Sequence, residues 1–299
     1  MDYPLIPALT PDGRLYRNAD MGSVESFLPT GGYPTAHAPA LLELPDGALL
    51  CCWFAGTYEG SADIHIICSR LEKDGGQWSA PTDISGDPER SEQNPSLFAG
   101  NDGAVWAIYT AQKDRQAGKD SMQFTSQIRV QKSTDGGRTW GPYETLFARE
   151  GSFCRQPIQV LSSGRWIFAN WLCTDSPDGL SGDPTAFQIS DDEGKTWRQT
   201  DMPGSRGRVH ANVVELENGH LADFMRSREA DFIYRSESST GAIPGLCRFP
   251  RRCPTTTAPS ARSGFRAAGS RSLTTPPARR IPGRGKQPGR DCAARWRSP

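Results

Sequence analysis

No run in the 299 residues approaches the roughly 18 to 20 consecutive apolar residues that would cross a bilayer, so a membrane-spanning helix is not expected. Net charge is also lacking, since 34 Lys and Arg balance 34 Asp and Glu, and neither nucleic acid nor a membrane surface is an expected partner. Histidine is scarce at four residues, and the eight cysteines form no C-x-x-C pair with a histidine at metal-ligand spacing. No acidic cluster has Ca²⁺-loop spacing either, so no metal and no cofactor is expected. The start, Met-Asp-Tyr-Pro-Leu-Ile-Pro, has no basic stretch followed by an apolar one, and a cytoplasmic location with reduced, mostly buried thiols is the expectation. What the chain does have is 31 Gly, 24 Pro and eight Trp with few helix formers, the composition of a turn-rich all-β protein.

The charge balance averages two unlike regions. Residues 239–299 hold twelve Arg, one Lys and one acid, a net of +12, so residues 1–238 carry −12. That last stretch also has nine Pro and little alternation of apolar residues, which leaves it unable to bury a core. The division expected is a lead-in over 1–29, a folded domain over 30–238 and an irregular basic tail over 239–299.

Inside the folded region, a pair of repeats runs in register. Asp46-Gly47, Asp102-Gly103, Ser163-Gly164 and Asn218-Gly219 each sit between apolar stretches, with glycine spacings of 56, 61 and 55 residues. Asp-Gly and Asn-Gly in such settings signal hairpins, and a type I′ turn with positive φ at both central residues is the expectation. Between them lie Ser133-Thr-Asp135-Gly-Gly137-Arg-Thr139-Trp140 and Ser190-Asp-Asp192-Glu-Gly194-Lys-Thr196-Trp197, both S-x-D-x-G-x-T-W. A worn copy, Lys73-Asp74-Gly-Gly-Gln-Trp78, precedes them, and the Trp spacings of 62 and 57 match the first period. Units of about 60 residues, each long enough for four short antiparallel strands, describe the blades of a β-propeller.

The S-x-D-x-G-x-T-W pattern resembles the Asp-box of the sialidase (neuraminidase) superfamily, whose BNR repeats build a propeller that normally closes with six blades. The resemblance implies a sialidase-like propeller with four recognisable blades, in which these turns are structural fasteners on the rim away from the active site. A fourth Asp-box is due near Ser236-Glu-Ser238, where the chain turns basic instead. Read one nucleotide earlier, the codons from Thr240 onward permit Asp-Gly-Gly-Asp-Thr-Trp-Ser. Residues 239–299 therefore read as out of frame or disordered, and loss of the distal blades leaves a chain expected to be poorly stable and inactive.

The resemblance also implies site residues. The family's first carboxylate-binding Arg falls at His37, and its acid/base Asp at Asp63, with Glu59 on the same loop. Its Glu that polarises a Tyr nucleophile falls at His210, followed by Asn212, and its second Arg matches Arg226, with Arg228 beside it. Gln93, Asn94 and Arg155 lie at the corresponding starts of the second and third blades. Thus His37, Asp63 and His210 are the catalytic candidates, and Glu59, Gln93, Asn94, Arg155, Asn212, Arg226 and Arg228 the substrate-binding ones. Asp63 also suits a turn closure and Arg206, Arg208, Arg226 and Arg228 a solvated charge run; His65 and His220 are expected to be structural or exposed.

Three functions compete. One is an exo-glycosidase acting on a sialic- or uronic-acid-containing glycan, the partner then being an acidic oligosaccharide or glycoconjugate. Another is a uronate-directed lyase or glycosidase using His37 and His210. The third is a noncatalytic glycan-binding propeller.

Overall fold

A computed structural model describes residues 4–5, 10–115, 122–175 and 182–238, with three two-residue strands beyond them, Cys253–Pro254, Leu273–Thr274 and Arg295–Trp296. The tail and its proposed change of frame otherwise lie outside the described residues. Helical structure is confined to short 3-10 turns such as Gln123–Thr125 and Glu217–Gly219, and no described helix is long and apolar enough to cross a membrane.

After a small hairpin of β1 (Tyr16–Asn18) and β2 (Ser23–Glu25), the strands form four antiparallel meanders. The first is β3 (Thr35–Glu43), β4 (Leu49–Gly56), β5 (His65–Leu71) and β6 (Thr82–Asp83); the second is β7 (Arg90–Ala99), β8 (Val105–Lys113), β9 (Gln127–Ser133) and β10 (Glu144–Phe147). In the third, the inner strand is split into β11 (Ser152–Cys154) and β12 (Gln159–Val160), followed by β13 (Trp166–Leu172), β14 (Thr185–Ser190) and β15 (Arg198–Asp201). The fourth is β16 (Arg208–Glu215), β17 (Leu221–Ser227) and β18 (Phe232–Ser238), with β19 (Cys253–Pro254) pairing along β18. These are four propeller blades, the fourth strand of the last one being β19, beyond residue 238.

The hairpin turns differ from the type I′ expectation. Gly47, Gly103 and Gly164 have φ of 83°, 79° and 83°, while Asp46, Asp102 and Ser163 are not in the left-handed region. Gly47 N donates to Leu44 O and Leu44 N to Ala48 O, both at 2.8 Å, and the Gly100–Ala104 and Leu161–Arg165 turns repeat this double bond. A three-residue connection with the glycine as a bulge uses the same Asp-Gly pair with one positive φ in place of two. The aspartate adds its own share, Ala48 N donating to Asp46 Oδ1 at 2.9 Å.

Each S-x-D-x-G-x-T-W turn is knitted by its carboxylate. Asp135 Oδ1 accepts from Ser133 Oγ at 2.8 Å and Thr139 N at 2.9 Å, and Oδ2 from Thr139 Oγ1 at 2.5 Å. Asp192 repeats the set with Ser190 and Thr196. Bonds from the Thr196 hydroxyl and N–H, then Ser190, hold the Asp192 carboxyl down to about 2. The turns also press on the neighbouring blade: a Cβ added at Gly137 would lie 2.6 Å from a Leu50 methyl, and one at Gly194 2.9 Å from the Trp166 ring. Arg70, 7% exposed at its side chain, bonds Asp46, Glu72 and Gly136 O, tying the hairpin turn of blade one to the fastener of blade two. Both kinds of turn therefore occupy one rim, and the inner strands begin at the other.

Apolar layers fill the gaps between blades. Leu50, Cys52 and Phe54 meet Val105, Ala107 and Tyr109, and Trp106 and Ile108 meet Trp166 and Phe168. Ile167, Ala169 and Phe187 meet Val213, Leu221 and Met225. Strands β4 and β13 are buried along their whole length because a layer covers both faces. The outer face of the first blade is covered by the N-terminal segment, where Leu15 and Leu28 pack on Leu49, Trp53 and Trp78. Trp78 N bonds Gly13 O and Leu15 N bonds Gly76 O, both at 2.9 Å, so backbone pairing with the N-terminal segment anchors the worn turn, which has Lys73 where Asp135 and Asp192 stand in the others. The five described cysteines, Cys51, Cys52, Cys68, Cys154 and Cys173, are buried and form no disulfide.

Candidate functional site

Near its start, the inner strand of three blades carries an extra residue. Pairing slips between His37 and Ala40, between Gln93 and Ser96, and between Val209 and Asn212, and the bulged residues Ala38, Asn94 and His210 have φ of 53°, 52° and 57°. In the third blade the break is wider, residues 155–158 separating β11 from β12. Bulges beside functional sites re-aim side chains, and holding a histidine at positive φ is a strain that surrounding structure must enforce. Here Trp171 enforces it. The His210 ring stacks on Trp171 at 4.6 Å and 21°, and Trp171 stacks in turn on Phe153 at 5.0 Å.

Three guanidinium groups act on that imidazole. Burial first, then the charges of Arg226, Arg155 and Arg228, pushes His210 down to about 3, so it is neutral near pH 7. Arg155 reaches from the break in the third blade to the first blade's bulge, donating to Pro39 O at 3.2 Å. Burial lowers the proton affinity of Arg155, and among the described residues it makes no ion pair. Arg226 is lowered by burial and by Arg228; the Glu59 carboxylate on the β4–β5 loop opposes this. It too has no ion pair within the described residues, although its side of β17 is exposed.

Arg228 differs from the other two. Its Nη2 donates to Asp183 Oδ2 at 2.7 Å and to Gln123 Oε1 at 2.9 Å, and lies 3.8 Å from Cys173 Sγ. The guanidinium sits 5.9 Å from the Trp171 ring. Asp183 is fully buried, and its Oδ1 accepts from Thr174 N at 3.1 Å. Burial raises the Asp183 carboxyl and the Arg228 charge opposes it.

The candidates read from sequence thus divide. Arg155, His210, Arg226, Arg228 and Glu59 come together at the rim opposite the fasteners. His37 is exposed beside its bulge, stacked on Phe54 at 5.4 Å, and makes no contact with His210. Asp63 closes its loop: the carboxylate accepts from Thr57 N at 2.9 Å and from the Thr57 hydroxyl, and bonds with Ser61 and Thr57 hold it below its ordinary value against the effect of burial. Gln93 is buried on Ser91 Oγ at 2.8 Å; Asn94 and Asn212 flank bulges. Arg208 lies 3.6 Å over Tyr234 and bonds Ser227, away from the cluster. His65 is held by Tyr33 and Asp83.

Sequence reasoning did not find Trp171, Gln123, Cys173 and Asp183. Trp171 carries a weak signal, an indole at the end of the strand that faces His210. Asp183 and Gln123 lie in connectors with no periodic marker.

Chemically, half-buried Arg155 and exposed Arg226 offer two guanidiniums with no ion pair among the described residues, His210 offers a neutral imidazole, and Glu59 offers a carboxyl group. Among the described residues no His, Cys, Asp and Glu cluster is suited to a metal.

A family model described as a BNR repeat-like domain matches residues 47–246. No curated protein matches the chain significantly. Among solved structures, a Hadza microbial sialidase aligns at 17% identity and a TM-score of 0.57, over 69% of this chain and 44% of that one. The NanB sialidase of Streptococcus pneumoniae gives 16% and 0.57 over 78% of this chain and 53% of its own. The intramolecular trans-sialidase of Ruminococcus gnavus gives 14% and 0.59 over 83% and 75%. The chain spans less than two thirds of the first two of these. At such identities the likeness is one of fold: a propeller of sialidase type.

Proposed function

Because the chain belongs to the BNR repeat-like domain family, we propose that it is a sialidase-like, glycan-active protein whose cluster at the rim takes the carboxylate of a sialic or uronic acid and that acts on the glycan as an exo-glycosidase. The observation that carries this reading is that Arg155 and Arg226, supplied by the third and fourth blades, both act on half-buried His210 and neither forms an ion pair among the described residues. Holding the half-buried Arg155 guanidinium without a counter-ion is unfavourable, and a ligand carboxylate offsets that cost while exposed Arg226 adds a second charge-assisted bond. The likeness in fold to sialidases among the structural neighbours supports a glycan-active reading.

A lyase would ask His210 to remove a proton. An imidazole pushed down to about 3 is a poor base at neutral pH, which favours hydrolysis or binding over elimination. In hydrolysis we assign the acid/base role to the Glu59 carboxyl group, whose charge acts on Arg226, and to His210 that of a neutral donor or acceptor that leaves the clamp's charge intact.

The test is incubation of the protein with a sialyl-oligosaccharide and with a rhamnose-glucuronate oligosaccharide, followed by analysis of products. Released sialic or uronic acid, lost in Arg155→Met, supports the reading. An unsaturated uronate would instead establish elimination, and neither turnover nor binding of either glycan would overturn the assignment.

A further inference from the structure

Of the three arginines around His210, Arg228 alone forms an ion pair among the described residues. Asp183 is fully buried, lies 2.7 Å from Arg228 Nη2, and is itself fixed by Thr174 N at 3.1 Å. Gln123 Oε1 takes the same nitrogen from the second blade at 2.9 Å, and the Arg228 side chain is 11% exposed. The backbone reinforces this: Gly207 N donates to Asp183 O and Arg228 N to Gly207 O, both at 2.8 Å. Connectors from blades two, three and four therefore meet on one guanidinium, which faces the Trp171 ring that supports His210.

We propose that Asp183 is a specificity-determining, positioning residue that withdraws Arg228 from the ligand, leaving Arg155 and Arg226 as a two-guanidinium clamp fitted to a sugar bearing a single carboxylate. The inference rests on the acidic-glycan reading of this rim. Its physical basis is charge: with Asp183 and Glu59 counted against the three guanidiniums the cleft stays net positive, Arg155 and Arg226 form no ion pair among the described residues, and an ion pair formed in a buried setting is not exchanged for a ligand's carboxylate without leaving Asp183 buried and unpaired. Asp183→Asn keeps an acceptor for Thr174 N but turns an amide toward Arg228, which frees the arginine. Glutamate at the same position preserves the pairing charge.

The experiment compares binding of methyl glycosides of N-acetylneuraminic acid and glucuronic acid with their carboxamides, by calorimetry on the full chain. The expected preference for acid over carboxamide falls at least tenfold in Arg155→Met, stays within twofold of the starting protein in Arg228→Met and Asp183→Glu, and rises severalfold in Asp183→Asn. The double variant Asp183→Asn, Arg228→Met returns to the starting preference. A merely structural ion pair would lower the melting temperature of Asp183→Asn and leave the preference unmoved, and that result, or a collapse in Arg228→Met equal to that in Arg155→Met, overturns the proposal. Phenylglyoxal labelling gives a ligand-free reading on the unsubstituted protein: Arg226 labels and Arg228 resists, while Arg228 labels in Asp183→Asn. Equal labelling of Arg226 and Arg228 in the unsubstituted chain overturns the proposal. If neither acid binds the starting protein, the acidic-glycan reading has failed and the labelling alone decides the role of Asp183.

Discussion

His210 and Asp223 titrate in opposite directions, and their signs can be worked out. An unfolded histidine takes its proton near pH 6.5, whereas folded His210 resists it down to about 3. Between those values the unfolded chain binds the extra proton, so this group's contribution to stability falls as pH falls. Asp223 is fully buried, neither of its carboxylate oxygens has a hydrogen-bond partner among the described residues, and burial pushes it up to about 7 against the smaller downward pull of the Asn212 and Phe224 backbone. From about pH 4 to 7 the folded chain holds that proton and the unfolded one does not, so its contribution rises as pH falls. Each slope reaches about 1.4 kcal/mol per pH unit and the two oppose between roughly pH 4 and 6.5. Urea midpoints measured across this window are expected to fall toward acid in Asp223→Asn and to rise toward acid in His210→Gln. Two variants that share the unsubstituted protein's slope would refute both shifts. Neither residue's role could be read from sequence, because a histidine at a bulge and an aspartate inside a strand look the same wet or dry. Arg155 is legible from its place at the start of the third blade and Arg226 from the family resemblance, and the charges of both act on His210. Asp63 shows the converse: an aspartate six residues after a threonine reads equally as an acid or as a turn closure, and its carboxylate accepts from Thr57 N at 2.9 Å.

At the scale of the element, the fastener turns carry the argument, and their glycines are placed where a side chain has no room. Gly194 has φ of 81° and faces the Trp166 and Trp106 rings, so Gly194→Ala combines left-handed strain with a ring contact. A loss of about 1 to 3 kcal/mol is expected, read as a lower melting temperature with an unchanged strand signature. The worn turn gives a contrast. Gly76→Ala meets open space, and its effect is expected to stay within about 0.5 kcal/mol. Equal losses at the two sites would contradict the view that the fastener works by pressing on its neighbour. These turns were legible because glycine and tryptophan recur at a fixed period. The turn type was not, since Asp-Gly serves a two-residue or a three-residue hairpin and the flanking Leu44 and Ala48 pairing chooses the second.

At the scale of the molecule, the four blades differ in how their outer faces end. The first is sealed by Leu15 and Leu28, while β17 of the fourth alternates buried residues with half-buried Phe224 and exposed Arg226. The repeat period made the blade count legible, while β19 lies beyond the stretch that composition marks as folded and pairs with β18 through its backbone. Circular dichroism of the full chain is expected to be that of a β protein, and helix above roughly a quarter would contradict the architecture. The central claim is about place as much as chemistry: that the ring gathers an acidic sugar at the rim where Arg155, Arg226 and His210 meet, and uses the other rim only to hold itself together. A crystal structure of the full chain with N-acetylneuraminic or glucuronic acid bound tests this most directly. The account predicts the sugar's carboxylate within hydrogen-bond distance of both Arg155 and Arg226, with Arg228 still on Asp183. A carboxylate seated on the fastener rim, or bound through Arg228 with Arg155 unengaged, would contradict it.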